Sequence, residues 1–317
     1  MGKIAFIFPG QGSQTVGMGK QLAEKYPNVA STFEKADSTL EIDLTSLIFE
    51  GPQETLTLTA NAQPALLTTS IAILEKFKEA NIVPDFVAGH SLGEYSALVT
   101  AGALSFEDAV YAVRKRGELM EEAVPAGVGT MAAVLGMDSQ VLKQITDQIT
   151  FEGNSVQLAN LNCPGQIVIS GTVEGVSLAS QLAKEKGAKR VIPLDVSGPF
   201  HSALMEPAAK RFSDVLEGLD INNASVPVIS NVTAGPITDA NEIKAKLIEQ
   251  LYSPVLWENS VETLVELGVD TFIEIGPGKV LSGLVKKVNR KLTTYSINDE
   301  ESLVSTIESI KGETQNA

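Results

Sequence analysis

Apolar residues run almost unbroken through KIAFIF, residues 3 to 8, and stop at Pro9-Gly10, the pattern of a central parallel strand buried on both faces. Phe86-Val87-Ala88, bounded by Pro84 and Gly89, predicts a second such strand. Between them the pattern from Lys20 to Asn81 is helical, with Pro27, Pro52 and Pro64 marking breaks and Ala62-Gln63-Pro64 opening a long apolar helix. A helix follows from Glu94 to about Ala101. Another runs from an N-cap at Ser105, with Asp108 three residues on, to about Ala123. On that helix Phe106, Ala109, Val113, Arg116 and Met120 recur at three- and four-residue steps, so Arg116 falls on the inward stripe while Arg114 and Lys115 point elsewhere.

The character changes between Pro125 and Gly198. A strand (GTMAAVLG), a helix from Asp138 to about Ile149, two strands (SVQLANL, QIVISG) around a turn at Asn162-Cys163-Pro164-Gly165, a helix (VEGVSLASQLAKEKG) and a strand (KRVIPLD) follow in order. The order βαββαβ is that of a ferredoxin-like unit. Residues 125–197 therefore read as a small subdomain inserted into a larger α/β core made of 1–124 and 198–317, with a cleft between them where a ligand can bind. Beyond it come a loop entering a helix (SGPFHSALMEPAAKRF), a strand (VPVISN), helices at Lys244–Tyr252 and Ser260–Leu267, and a strand (DTFIEIG) turning through Gly276-Pro277-Gly278 into the helix VLSGLVKKVNRK. A last strand, TTYSI, precedes a tail, KGETQNA, expected to be disordered.

Composition narrows the function classes. A net charge of −15 over 317 residues lacks the basic footprint that phosphate neutralisation needs, so no nucleic-acid partner is expected. No stretch approaches 18 uninterrupted apolar residues, and the start, broken at Pro9, does not fit a signal peptide, so no membrane association and a cytoplasmic location are expected. With one cysteine, Cys163, and two histidines there is no set of ligands for a structural zinc, and no metal or cofactor is expected; Cys163 reads as a turn residue.

Chemistry enters at Gly89-His90-Ser91-Leu92-Gly93. G-x-S-x-G between a strand and a helix is the form of a nucleophile elbow, in which glycines permit a sharp turn and the serine hydroxyl stands at a helix N-terminus. The plainer reading is a strand-to-helix turn in which Ser91 only caps the helix. An activated serine needs a base. His90 is adjacent, and side chains of neighbours on a tight turn diverge, which leaves His201, in a loop after the inserted unit. A third member is harder to find: Asp195 lies only six residues before His201, and a backbone carbonyl or amide could orient the ring instead. The glycine-rich loop GQGSQTVGMG after the first strand fits neither a dinucleotide fingerprint nor a phosphate loop, but it can bring backbone N–H groups and Gln11 to a ligand. Arg116, an arginine on a buried stripe, calls for an anion, either an internal carboxylate or a substrate.

GQGSQ at 10–14, GHSLGE at 89–94, Arg116-Gly117, GPFHS at 198–202 and Gln250 before LYSPV together resemble, end to end, the malonyl-CoA:acyl carrier protein transacylases. The resemblance implies an α/β-hydrolase-like core with a parallel sheet and an inserted ferredoxin-like subdomain. It implies Ser91 as acylated nucleophile, His201 as base oriented by the Gln250 carbonyl, and the backbone N–H groups of Gln11 and Leu92 as oxyanion hole. Arg116 would hold the malonyl carboxylate, Phe200 would lean towards malonyl, and Asn160 and Asn162 would line the cleft. Malonyl-CoA, a coenzyme A thioester, is then the donor substrate, acyl carrier protein the partner, and fatty acid chain elongation the pathway served, with a monomer sufficient. The carrier protein is acidic, so docking asks for a basic patch; Lys286, Lys287, Arg290 and Lys291 form one and Lys184, Lys186, Lys189 and Arg190 another, unless both are solvated helix faces. A serine hydrolase or thioesterase, a trans-acting polyketide synthase acyltransferase and a carrier-binding module without chemistry are the competing readings.

Overall fold

In the computed structural model, which describes residues 2–125 and 127–315, the chain starts with β1 (Lys3–Phe8) and leads through the glycine-rich loop into helices. The run expected to be helical is α1 (Lys20–Lys25), α2 (Pro27–Leu40), α3 (Leu44–Glu50), α4 (Gln53–Thr57) and α5 (Thr59–Phe77). Pro27 and Pro52 do mark boundaries, but Pro64 does not: it sits inside α5. A proline there leaves the carbonyl four residues back without its helical donor. That carbonyl, Ala60 O, instead accepts from Arg114 Nη1 at 3.1 Å, so a side chain from a neighbouring helix repairs the break.

β2 (Phe86–Gly89) is followed by α6 (Gly93–Thr100) and α7 (Phe106–Ala123), the latter capped by Ser105 Oγ accepting from Asp108 N–H. The next unit is β3 (Gly129–Leu135), α8 (Ser139–Phe151), β4 (Val156–Cys163), β5 (Gln166–Thr172), α9 (Val173–Glu185) and β6 (Arg190–Pro193). Asn162 and Cys163 belong to β4, so the hairpin turn is only Pro164-Gly165, and Cys163 is a buried strand residue rather than a turn residue. The chain closes with α10 (Glu206–Glu217), β7 (Val228–Ile229), β8 (Pro236–Ile237), α11 (Ala240–Glu249), α12 (Trp257–Glu266), β9 (Val269–Ile275), α13 (Val280–Val288), β10 (Thr293–Ile297) and α14 (Glu300–Gln315). α14 overturns the expected disordered tail as far as Gln315; residues 316 and 317 lie outside the described residues. Leu303 and Ile310 anchor it in the core.

The strands form two sheets. One has the order β10-β9-β1-β2-β7-β8, parallel except for β8, which pairs antiparallel to β7. Its central strand is buried on both faces: Ile4, Phe6 and Phe8 pack with α2, α5 and α7 residues, while Ala5 and Ile7 pack with Trp257, Val261, Leu281 and Val285. The other sheet, order β4-β5-β3-β6, is antiparallel and has its own core with α8 and α9, including Leu142, Ile145, Ile169 and Ala179. This is an α/β-hydrolase-like core with a ferredoxin-like subdomain inserted. The entry and exit of the insertion touch, since a Cβ built at Gly129 would lie 2.4 Å from Pro199 Cγ. Among the described residues no helix is long and apolar enough to cross a membrane.

Candidate active site

The carboxyl ends of β1, β2 and β7 point at one place, the position where open parallel sheets present ligand sites. At the end of β2 the chain turns within three residues into α6, and the two flanking glycines are there for space. A Cβ on Gly89 would fall 1.9 Å from the Gly93 carbonyl carbon, and one on Gly93 would fall 2.1 Å from Phe8 O. Ser91 takes a left-handed backbone, φ 51°, which costs a non-glycine residue about 1–3 kcal/mol and needs support from its surroundings. Asn231, just beyond β7, supplies it: its Oδ1 accepts from Ser91 N–H at 2.7 Å and its Nδ2 donates to Gly89 O at 2.7 Å.

His201 is buried and also left-handed, φ 56°. Its Nε2 lies 2.8 Å from Ser91 Oγ and its Nδ1 2.8 Å from the Gln250 carbonyl. A carbonyl only accepts, so Nδ1 carries the proton and the Nε2 lone pair faces the serine hydroxyl. Burial, followed by the positive charge of Arg116, pushes the imidazole pKa down to about 3, so the ring is neutral at physiological pH. Asp195 lines the same cavity but is exposed, and the far nitrogen of His201 is on the carbonyl. His90 turns the other way: its Nε2 is 2.8 Å from Asn162 Oδ1 and its ring packs on Trp257.

Arg116 is only 1% exposed. Nη1 donates to Gln63 Oε1 at 2.8 Å, and Nη2 donates to Ser91 Oγ at 3.1 Å and to Gln250 Oε1 at 3.0 Å. Among the described residues its hydrogen-bond partners are all neutral. Desolvation lowers its pKa from the usual value, and the neighbouring Tyr95 and Glu94 counteract that. Gln250 thus serves twice, its carbonyl on His201 and its side chain between Arg116 and Glu94, to whose Oε2 it donates at 2.6 Å.

A cavity of about 160 Å³ brings together Ser91, His201, Arg116, Gln11, Leu92, Asn160 and Phe200. Gln11 Nε2 donates to Thr59 Oγ1 at 3.1 Å, and Gly10 is pressed against the elbow, where a Cβ would lie 2.4 Å from His90 O. Asn162, expected beside Asn160, does not line this cavity; its Oδ1 lies 2.8 Å from His90 Nε2. An open groove of about 1040 Å³ between Val124, Leu204 and Tyr252 is larger but holds neither Ser91 nor His201. Among the described residues no cluster of three His, Cys, Asp or Glu side chains could hold a metal ion.

The sequence left three participants unremarked: Gln63, Asn231 and Glu94. Glu94 is 1% exposed and accepts from Asn231 N–H at 3.2 Å as well as from Gln250; burial pushes its pKa up to about 7. Its signal was its place, three residues after Ser91 on a helix whose neighbours Tyr95, Ala97 and Leu98 are all apolar and buried. Asn231 could have been found as a polar residue two positions past the apolar run of a parallel strand, at the edge where such sheets bind ligands.

Comparison with known proteins gives a consistent family. The model described as "Acyl transferase domain" matches residues 5–312. The malonyl CoA-acyl carrier protein transacylase of Bacillus subtilis (strain 168) is 68% identical over 317 residues, covering 100% of both chains, and that of Staphylococcus aureus (strain MRSA252) is 48% identical over 316 residues, again covering 100% of both. Among solved structures, the malonyl CoA-acyl carrier protein transacylase from Clostridium perfringens superposes with a TM-score of 0.95 at 41% identity, covering 98% of each chain. A malonyl-transacylase in complex with a type II PKS acyl-carrier protein superposes with a TM-score of 0.94 at 44% identity, covering 97% of this chain and 99% of that one.

Proposed function

The chain belongs to the acyl transferase domain family, and from that premise we propose that it moves a malonyl group from malonyl-CoA to the phosphopantetheine thiol of an acyl carrier protein, through an ester on Ser91, for fatty acid chain elongation. The observation that carries this reading is Arg116: a buried guanidinium 3.1 Å from the Ser91 hydroxyl whose other partners are neutral. A substrate that brings its own carboxylate to within one acyl length of the nucleophile would satisfy that charge, and malonyl does so with a bidentate pair.

The steps follow from the proton positions. Ser91 Oγ attacks the thioester carbonyl while His201 Nε2 takes its proton, and the Nδ1–H bond to the Gln250 carbonyl keeps the resulting imidazolium in place. The tetrahedral oxyanion is received by the backbone N–H groups of Gln11 and Leu92, two residues that line the cavity. Collapse breaks the C–S bond, and the coenzyme A thiolate leaves with the proton from His201. The phosphopantetheine thiol then repeats the sequence in reverse: it gives its proton to His201, its sulfur attacks the ester, and Ser91 Oγ recovers a proton as it departs. No cofactor enters these steps. Phe200 and Asn160 shape the wall of the cavity around the acyl group. Both halves of the site come from one chain, which supports a monomer as the working unit, and we place the reaction in the cytoplasm.

A hydrolase differs only in what attacks the ester second. Incubation with malonyl-CoA and holo carrier protein should yield malonyl carrier protein in large excess over free malonate, and intact-mass measurement without acceptor should trap a malonyl adduct on Ser91. Dominant free malonate would convert the reading to a thioesterase, and failure to acylate Ser91 would leave a binding module.

A further inference from the structure

Gln157 stands half-buried on β4, in the inserted subdomain, and its side chain reaches across to the core. Nε2 donates to the His201 carbonyl at 3.3 Å and to the Tyr252 carbonyl at 3.2 Å, while Oε1 accepts from Ala203 N–H at 2.9 Å. A primary amide has two N–H donors and an oxygen that accepts, so all three bonds can exist together. One side chain therefore ties the His201–Ala203 loop to the turn that follows α11.

Those two segments set the aim of the imidazole. The turn after α11 provides the Gln250 carbonyl that fixes Nδ1 and the Leu251 carbonyl that accepts from His201 N–H at 3.2 Å. The loop carries His201 in its left-handed conformation, a state that persists only when its surroundings over-determine it. Ser202 Oγ on Pro199 O, at 2.6 Å, contributes from within the loop; Gln157 contributes from outside the core altogether. The strand it stands on is itself anchored to the core, by Leu161 N–H to Val255 O at 2.9 Å and Val255 N–H to Ala159 O at 2.8 Å.

We propose that Gln157 is a positioning residue for the transfer reaction: through the His201 and Tyr252 carbonyls and the Ala203 amide it holds the His201 lone pair on Ser91 Oγ. Its hydrogen bonds go to the segments that hold His201 rather than to Ser91, so it acts through the imidazole. The inserted subdomain on this account does more than wall the cleft, because β4 sets the register between nucleophile and base. The inference rests on the serine–histidine reading above.

Two substitutions in the full chain test it. Gln157→Met keeps the length and removes all three bonds, whereas Gln157→Glu keeps the acceptor for Ala203 and turns a carboxylate oxygen towards two carbonyls. Ser91 reactivity is read in two ways, by single-turnover acylation with malonyl-CoA and by labelling with a fluorophosphonate, which needs only a serine activated by its base. Both rates should fall by roughly tenfold to a hundredfold, the loss expected when reacting groups are misplaced by a fraction of an ångström to an ångström. The KM for malonyl-CoA should change by less than about threefold, and Gln157→Glu should be at least as impaired as Gln157→Met. Folded variants that label at the parent rate, or whose defect lies wholly in KM, would overturn the proposal. A parent chain that labels with the fluorophosphonate but refuses malonyl-CoA would instead sink the transfer reading, and the dependence of labelling on Gln157 would still decide this one.

Discussion

Arg116 is a charge taken out of water and given only neutral oxygens, an arrangement that costs stability unless a ligand completes it. Its worth is best read as a difference between substrates. Arg116→Ala should slow malonyl transfer far more than acetyl transfer, by roughly 2–4 kcal/mol, the scale of losing one partner of a desolvated charge pair. Acetyl transfer is the internal control for any collapse of the Gln63 and Gln250 contacts, and equal losses for both acyl groups would make Arg116 a structural residue. Glu94 gives a second test at this scale. Its folded pKa of about 7 lies above the ordinary carboxylate value of 4.5, so between those pH values the folded protein keeps a proton that the unfolded chain has lost. The stability from this group is thus complete below about pH 4.5 and lost as pH rises through about 7. Glu94→Gln retains an acceptor for Asn231 N–H and Gln250 Nε2 but cannot ionise. Its stability relative to the parent should rise between pH 5 and 8, by on the order of 3 kcal/mol at most. His201 acts in the opposite direction, losing stability as pH falls from 6.5 towards 3, but it is common to both proteins and cancels in the difference. Denaturation midpoints at four pH values settle the matter, and parallel curves would mean that Glu94 is not held protonated.

Elements differ in how plainly the sequence announced them, and burial pattern is the reason. β1 and the βαββαβ unit were legible because their apolar periods are strong, and α7 because its stripe and its Ser105 cap agree. α14 differs from the expected tail: Leu303, Ile307 and Ile310 recur at helical spacing and pack on the core, but the stripe is short and the residues after Ile310 are polar, so nothing local announces that the helix continues. Pro64 reads as a break because its missing hydrogen bond is repaired by a side chain 54 residues along the chain from the orphaned carbonyl, which no local rule can show. In the site, Ser91 and His201 could be reached by asking which serine sits on an elbow and which histidine is free to serve it. The network behind them could not, because Asn231, Gln63 and Gln157 are ordinary polar residues until the fold sets them on particular backbone groups. The contact of α5 with α7, which also carries the Arg116–Gln63 bond, is tight at Gly117: a Cβ there would lie 2.7 Å from Ala60 Cα and 2.8 Å from Thr59 O. Both are backbone atoms that cannot turn aside. Gly117→Ala should therefore lower stability by about 1–3 kcal/mol from overpacking, outweighing the gain in helix propensity of about 1 kcal/mol. A melting temperature at or above that of the parent would show that the helices part without cost.

For the molecule as a whole the question is how a chain of net charge −15 receives an acidic partner. Two basic clusters, a hundred residues apart in sequence, are brought to the same end of the fold by the β4–β5 hairpin. Gly136 N–H bonds to Gly165 O at 2.7 Å, Lys189 N–H bonds to Leu135 O at 2.8 Å, and Lys287 Nζ donates to Gln166 Oε1 at 2.9 Å. Lys184, Lys186, Lys189 and Arg190 are all exposed, as are Lys286, Lys287, Arg290 and Lys291. Local cationic surface on an anionic protein steers association, and its effect is screened within about 10 Å at 0.1 M salt. The double charge reversal Lys189→Glu with Lys287→Glu should slow transfer from malonyl-Ser91 to carrier protein by roughly tenfold or more at low salt, with the gap closing as salt is raised. Transfer from the same ester to free pantetheine, a neutral thiol, should be unchanged, because the reacting groups around Ser91 are untouched. Equal slowing with pantetheine would place the damage in the site itself, and a variant that serves the carrier as well as the parent does would move docking to another face. The comparison isolates the surface from the chemistry, since both acceptors attack one ester with the same thiol.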